Sequence, residues 1–532
     1  MKFIFITLVM TASSALAGSG SSPFRNLNAL KNSLGFNRYY SQSPSQPRLL
    51  KIAVLDKGFT GYEKEIGKTL PKNTKFIAGP VENPADLKVE HGLKMAQILT
   101  GLLTDDLSRA ALQPELRLYN VFGYSNFKAA IDDMIAQKVD LVLYSEVWEY
   151  GGNHDGKGFI NAEVNRALKA GILWVNASGN FALTTYNSNI KTLNDDWVSL
   201  PDQNNALALR CNAERSKKCA VKIVLSWNDF KDDVDAGTDK DLDLALTDDL
   251  LNILQTSGLK QSADRNEGRP GFSKYPREII QTEIAPGNYY LRVKDRSKNW
   301  NQKDRLRITV DGDAVVMPSH SQEETVLNPA DNPGVITVGA SDADRSSNSR
   351  RMNKPDIFAP SSIQLQDGTE YRGSSNSAAI VAAGVAMLKT FDRDLKREEI
   401  IGKIAGNSGQ NWGQPGLSLN MLAFSPTGHG CFVDAIYNPM PPYLQHALSM
   451  GGVMVQTSAG LRIMTPFDPA QLNFNIRRNR IDDMIVALPQ GYFVYPRYAM
   501  IPAGAVEIFQ RPLEAGLCRA PFSSNGRNFF LP

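Results

Sequence analysis

Four cysteines and five histidines are all that the 532 residues offer to soft metals and to imidazole chemistry. The cysteines (Cys211, Cys219, Cys431 and Cys518) lack the spacing of a zinc site. Charge of one sign is lacking too. Lys plus Arg number 58 and Asp plus Glu 55, leaving +3 with both signs mixed. This excludes the basic footprint of a nucleic-acid binder and a polybasic membrane patch. Beyond the N-terminus, no apolar run is long enough to cross a bilayer.

The N-terminus itself reads Met1-Lys2, an apolar stretch over residues 3–10, then Ala15-Leu16-Ala17. A positive start, a short apolar core and a small-x-small end predict a signal peptide over 1–17. No cysteine follows to carry a lipid anchor, so the mature chain is expected to be secreted or periplasmic. In that oxidising setting an even cysteine count fits two disulfides, with three connectivities open. Cys211–Cys219, closing a short loop, and Cys431–Cys518, tying the C-terminal region, are the favoured pairs.

The length calls for more than one core. Residues 18–48 are rich in Gly, Ser, Pro and Asn and read as a linker, short leader or docked tail. From 49 to 199, short apolar runs (51–56, 116–122, 139–144, 171–176) alternate with helical patterns. That alternation predicts an α/β fold, a mainly parallel sheet with helices on both faces. Functional groups then gather at the carboxyl ends of the strands. Residues 200–316 change character: short strand-like runs separated by turns predict an inserted all-β, jelly-roll-like sandwich. Parallel-strand and helical signals return over 317–425. Residues 426–532 form a β-rich C-terminal region to which no chemistry attaches.

Chemistry concentrates in four places. Gly373-Ser374-Ser375 opens an Ala-rich helix, where unpaired N–H groups favour developing negative charge. Asp56 ends an apolar strand in Asp-Lys-Gly; His91 is followed by Gly92 at the start of a helical pattern. Asn180 follows another strand in Ser178-Gly179-Asn180. Each alone reads equally well as a turn or cap residue. Together, in the order Asp, His, Asn, Ser, they supply a carboxylate, a base, an oxyanion donor and a nucleophile.

On these residues the chain resembles the subtilisin-like serine proteases, the subtilase family. The likeness rests on Asp56-Lys57-Gly58, His91-Gly92 with Met95-Ala96 and Gly101, Ser178-Gly179-Asn180, residues 335–340 and Lys354-Pro355-Asp356 through Ala359-Pro360. It continues in Gly373-Ser374-Ser375, and the order of the triad is that of the family. It implies that Ser375 attacks the scissile carbonyl, His91 takes its proton, Asp56 orients His91, and Asn180 binds the oxyanion. Ser374, Leu93 and Ala379 stand where the family commonly has Thr, Thr and Pro; none of these changes removes a catalytic group. Ser145, Glu146, Val147 and Trp148 align with the substrate-pairing strand, which takes extended peptides by β-augmentation. The family often has Ser-x-Gly there, so the bulk of Glu146, Val147 and Trp148 predicts a narrowed pocket or a moved strand.

The likeness implies polypeptide substrates, no cofactor for catalysis, no nucleic acid and no membrane anchor; it leaves the oligomeric state open. The insert resembles a pre-peptidase C-terminal-type domain, on Leu225–Asp229, Asp241–Leu244 and Pro286–Val293 as residue runs. Its acids (Asp229, Asp232, Asp233, Asp235, Asp239, Asp241, Asp243) offer oxygen ligands for a structural Ca²⁺ or form a solvated acidic loop. About thirty residues between the signal and Leu49 are too few to bury a core of their own. Folding assistance is therefore expected from the insert or the C-terminal region. Two other readings stay open. One is a catalytically weak or occluded subtilase scaffold that acts as a binding protein. The other, an esterase, lacks its usual Gly-x-Ser-x-Gly elbow around Ser375.

Overall fold

The computed structural model describes residues 23–36, 49–82, 88–104, 114–214, 217–264, 269–341, 354–391 and 394–406, together with short strands beyond 406. The expected signal peptide and Cys518 lie outside these residues.

Among the described residues, nine strands form the main sheet, in the order β2-β3-β1-β4-β5-β17-β18-β22-β21. They are β1 (Lys51–Asp56), β2 (Lys75–Ile77), β3 (Glu115–Asn120), β4 (Leu141–Tyr144), β5 (Leu173–Ala177), β17 (Ile336–Ala340), β18 (Ile357–Ala359), β21 (Ala405–Gly406) and β22 (Gly416–Leu417). All neighbours pair in parallel except β21 and β22. Strands buried on both faces must be apolar throughout, and β4 and β5 are buried along their whole length. The helices are α1 (Leu27–Leu34), a single turn α2 (Tyr62–Glu65), α3 (His91–Leu103), α4 (Gly123–Gln137), α5 (Phe159–Lys169), α6 (Ser374–Phe391) and α7 (Arg397–Ile404).

Helix α6 is apolar on every side because it is buried on every side: residues 378–383 are inaccessible to solvent. It packs on β4, β5, β17 and α3, and so carries Ser375 to the carboxyl end of the sheet. Within the segment read as linker or docked tail, α1 lies against α3. Leu27 fits over Gly101, where a Cβ would come within 2.6 Å of its side chain. Lys31 Nζ donates to the carbonyl of Thr104 just past the end of α3 (2.8 Å).

Between β5 and β17 the chain builds a second core from two antiparallel sheets. One has the order β10-β9-β14-β7-β16, the other β13-β8-β15-β6. Their strands are β6 (Thr185–Asn189), β7 (Leu207–Cys211), β8 (Cys219–Trp227), β9 (Leu242–Thr247), β10 (Ile253–Ser257), β13 (Arg277–Ile284), β14 (Gly287–Asp295), β15 (Arg305–Asp311) and β16 (Val315–Val316), with a small pair β11 (Lys260–Gln261) and β12 (Phe272–Ser273). Leu207, Leu209, Trp227, Leu244, Leu291 and Ile308 fill the space enclosed. The Cys211–Cys219 disulfide expected from sequence is present and joins one strand of each sheet. β6 already pairs with β15, so this unit takes in residues from 185 onward. The polar sequence Thr-Tyr-Asn-Ser-Asn of β6 has no apolar alternation to announce a strand.

Candidate active site

Asp56 is the last residue of β1 and is fully buried. Two glycines let its neighbours close around it. A Cβ on Gly92 would lie 2.5 Å from the Asp56 Cβ and 2.6 Å from Phe59, so the start of α3 approaches β1 only with glycine after His91. A Cβ on Gly58 would lie 2.4 Å from that of Val89, and Gly92 N–H donates to the Gly58 carbonyl (2.8 Å). The Asp-x-Gly and His-Gly motifs are thus two halves of one contact.

Asp56 Oδ2 accepts hydrogen bonds from His91 Nδ1 (2.7 Å) and Ser145 Oγ (2.6 Å), and Oδ1 accepts from the Lys57 N–H (2.9 Å). Burial by itself raises the Asp56 carboxyl, but the His91 charge and these hydrogen bonds outweigh it and hold the group below the usual carboxylate range. The same Asp56 charge is the main reason that His91 is pushed up to about 9. Glu146 adds to that rise, while burial and Lys57 oppose it. The His91 side chain remains 40% exposed at the cleft. Among the described residues its Nε2 has no hydrogen-bond partner.

Ser375 lies in the first turn of α6. Its Oγ donates to the Ser145 carbonyl (2.8 Å) rather than to His91. Nucleophile–base hydrogen bonds often form only once a substrate is present. Asn180 is held by Ser374: its Oδ1 accepts from the Ser374 N–H (3.2 Å) and Oγ (3.1 Å), while Ser374 Oγ accepts from Gly179 N–H (3.1 Å). With Oδ1 committed, Nδ2 is the free end of the amide. Gly373, at φ 149, lets the chain pass this amide closely, since a Cβ there would lie 3.3 Å from Nδ2. His91, Asn180 and Ser375 border one cleft of about 540 Å³.

The substrate-strand residues divide. Ser145 and Glu146 join the site, and Glu146 forms an ion pair with Lys57 (2.7 Å). Burial pushes the Glu146 carboxyl up, against the pull of Lys57. Val147 is half-buried. The ring of Trp148 packs in the core against Phe127 and Tyr150 (both 5.7 Å between centroids), and the Trp148 backbone N–H donates to the Asn328 carbonyl (2.7 Å). Trp148 therefore borders the strand as a packed aromatic. Lys57 and Ser374 were missed as site residues: Lys57 stands inside a turn motif, and Ser374 reads as a mere Thr replacement.

Carboxylate and imidazole atoms of Asp56, His91 and Glu146 lie within 4.8 Å of one another, the one group among the described residues close enough to share a cation. Asp56 is already committed to His91 and Ser145, so the cluster reads as a charge-tuned imidazole. The acids proposed for Ca²⁺ spread apart instead: Asp229 faces Lys231, Asp235 faces Lys274, and Asp243 faces Arg296. Asp232 accepts from the Gly158 N–H and Asp239 from the Ala263 N–H.

A buried carboxylate, an imidazole, a helix-borne serine and an aimed amide are the parts of an acyl-transfer site. The Subtilase family model matches residues 281–420, a segment that includes Ser375 but not Asp56, His91 or Asn180. Over that segment the match bears out the resemblance to the subtilases read from the sequence. No curated protein matches the chain. Among solved structures it is similar to the CspB protease of Clostridium perfringens, with 14% identity over 76% of this chain and 97% of that one, at a TM-score of 0.41. It is also similar to the nisin leader peptidase NisP of Lactococcus lactis, with 14% identity, 75% and 94% coverage and a TM-score of 0.35. A third is the epidermin leader peptide processing protease EpiP of Staphylococcus aureus, with 13% identity, 73% and 78% coverage and a TM-score of 0.37.

Proposed function

We propose that this chain is a secreted serine endopeptidase that cleaves polypeptides through an acyl-enzyme on Ser375. The observation that carries the reading is the 2.7 Å Asp56–His91 bond beside a cleft that Ser375 and Asn180 share with His91. A substrate N–H that takes the Ser145 carbonyl releases the Ser375 hydroxyl to turn toward His91 Nε2. Oγ then attacks the scissile carbonyl carbon while its proton passes to Nε2. The carbonyl oxygen becomes an oxyanion that accepts from Asn180 Nδ2 and the Ser375 N–H. Asp56 stabilises the imidazolium. His91 next gives the proton to the departing amine as the carbon–nitrogen bond breaks, and water repeats the sequence to release the acid. The N-terminal signal pattern supports export.

Labelling of the purified protein with a fluorophosphonate tests the nucleophile. Labelling is expected in the wild type and absent in Ser375→Ala; a folded wild type that stays unlabelled favours the scaffold reading instead. Asn180→Ala is expected to lower kcat on peptides by about 10²–10³-fold. Steady-state kinetics check this, and an unchanged kcat removes Asn180 from the oxyanion site.

A further inference from the structure

The cleft beside Ser375 has a floor that the catalytic motifs do not supply. Phe24, which precedes α1, lines it together with Met95 and Ile98 of α3 and Ile363. All four are buried, between 1% and 3% exposed. Phe24 is fixed there by its backbone and by the two residues that follow it. It bridges Leu365, the Arg25 N–H donates to the Gln364 carbonyl (2.7 Å), and Asn26 both donates to the Ser362 carbonyl (2.9 Å) and accepts from the Gln364 N–H (3.0 Å). The N-terminal segment is thus a wall of the active-site cleft.

Residues 145–148 do not line this cleft. On the function proposed above, the acyl half of a substrate runs along 145–148. The cleft therefore lies across the scissile bond, where His91 returns its proton to the leaving amine. Its rim carries Lys88 and two cations that are paired. Lys94 Nζ pairs with Glu90 (3.0 Å) and lies over the Tyr371 ring (5.7 Å), and Arg372 pairs with Glu370 (3.1 Å). The apolar floor, set below these rim charges, recognises an apolar side chain.

We infer that Phe24 is a specificity-determining residue, and that it selects a bulky apolar residue immediately after the scissile bond. This rests on the proposed function, and the test separates the two. Peptides share one acyl half, taken from substrate profiling, and vary in the next residue among Phe, Leu, Ala, Gly and Asp. Wild type is expected to turn over the Phe and Leu peptides about tenfold or more faster, in kcat/KM, than the Gly and Asp peptides. In Phe24→Ala the Phe-to-Gly ratio is expected to fall about tenfold, because the floor is lost. In Phe24→Trp, which fills the cleft, preference is expected to move toward Ala and Gly. Phe24→Leu keeps an apolar core residue and should give a smaller fall of the same sign, so a misfolded Ala variant leaves the idea testable. Fluorophosphonate labelling of the wild type reads the nucleophile separately. Failure to label overturns the proposed function. Labelling with a flat preference, or with wild-type ratios in the Trp and Leu variants, overturns the role of Phe24 alone.

Discussion

Glu146 follows the residue whose carbonyl holds the resting Ser375 hydroxyl, and its charge bears on the base. In the proposed mechanism His91 acts as a base only when neutral, and Asp56 with Glu146 pushes its pKa up to about 9. Acylation should therefore rise as pH rises through that region. Replacing Glu146 by Gln removes an anion that favours the imidazolium. The His91 pKa then falls, and the acid limb of kcat/KM moves to lower pH. Lys57→Met removes an opposing cation and should move the limb up. A pH–rate series on one peptide decides this; a limb that moves upward, or stays, in Glu146→Gln sinks the assignment. Asp56, His91 and Ser375 were legible in the sequence because each sits in a motif whose glycines have a local steric reason. The Lys57–Glu146 pair was not, because it joins two strand ends that only the sheet order brings together.

Elements differ in legibility for a similar reason. Strands β1, β3, β4, β5 and β17 are largely apolar runs that alternate with helices, so type and class could be read from them, whereas β2, β18, β21 and β22 have only two or three residues each and give no such signal. Helix α1 carries Leu27, Leu30 and Leu34 on its buried side, but eight residues amid a polar tract give a weak signal. In the two-sheet unit a buried carboxylate escaped notice. Glu278 of β13 is 1% exposed and accepts from Ser257, the Leu259 N–H (3.1 Å) and Gln261 (2.7 Å). Burial pushes it up from 4.5 to about 7, against those bonds. The native state then holds a proton that the unfolded chain has released between those values. Stability from this group is greatest below about 4.5 and is lost as pH rises to about 7. The loss is on the order of 3 kcal/mol. Glu278→Gln can still face Ser257 with its amide and should flatten the dependence, making the variant the more stable above pH 7. Urea unfolding at pH 5 and pH 8 checks it, followed by fluorescence of Trp227 and Trp300, whose rings meet at 6.2 Å. An equal pH dependence in both proteins would count against it.

At the scale of the whole molecule, the two-sheet unit grips the loop that follows β4, the strand proposed to pair with substrate. Lys222 Nζ pairs with Glu149 (2.8 Å), Arg277 lies over the Tyr150 ring (3.8 Å), and Asn153 exchanges two hydrogen bonds with the backbone of Phe230 (2.7 and 2.8 Å). Gly158 N–H donates to Asp232 (3.0 Å). From the catalytic side, Asn328 holds the same loop through Trp148 and through the Tyr150 carbonyl (3.0 Å). A β unit set between two halves of one sheet thus fixes residues 145–158 from outside. Sequence reading could mark the unit by its turn spacing, but not this grip, since its partners are ordinary surface residue types. An extended peptide needs the strand in one conformation, whereas a small fluorophosphonate needs only Ser375, His91 and the oxyanion donors. If loosening the grip lowers the pairing-competent population to a fifth, apparent affinity for an extended peptide falls about fivefold. Lys222→Ala combined with Arg277→Ala should therefore raise KM for a long peptide by about that factor. Its kcat should change little, and labelling by the small probe should stay near wild type. Equal losses toward peptide and probe would instead place the two-sheet unit's influence on the triad itself.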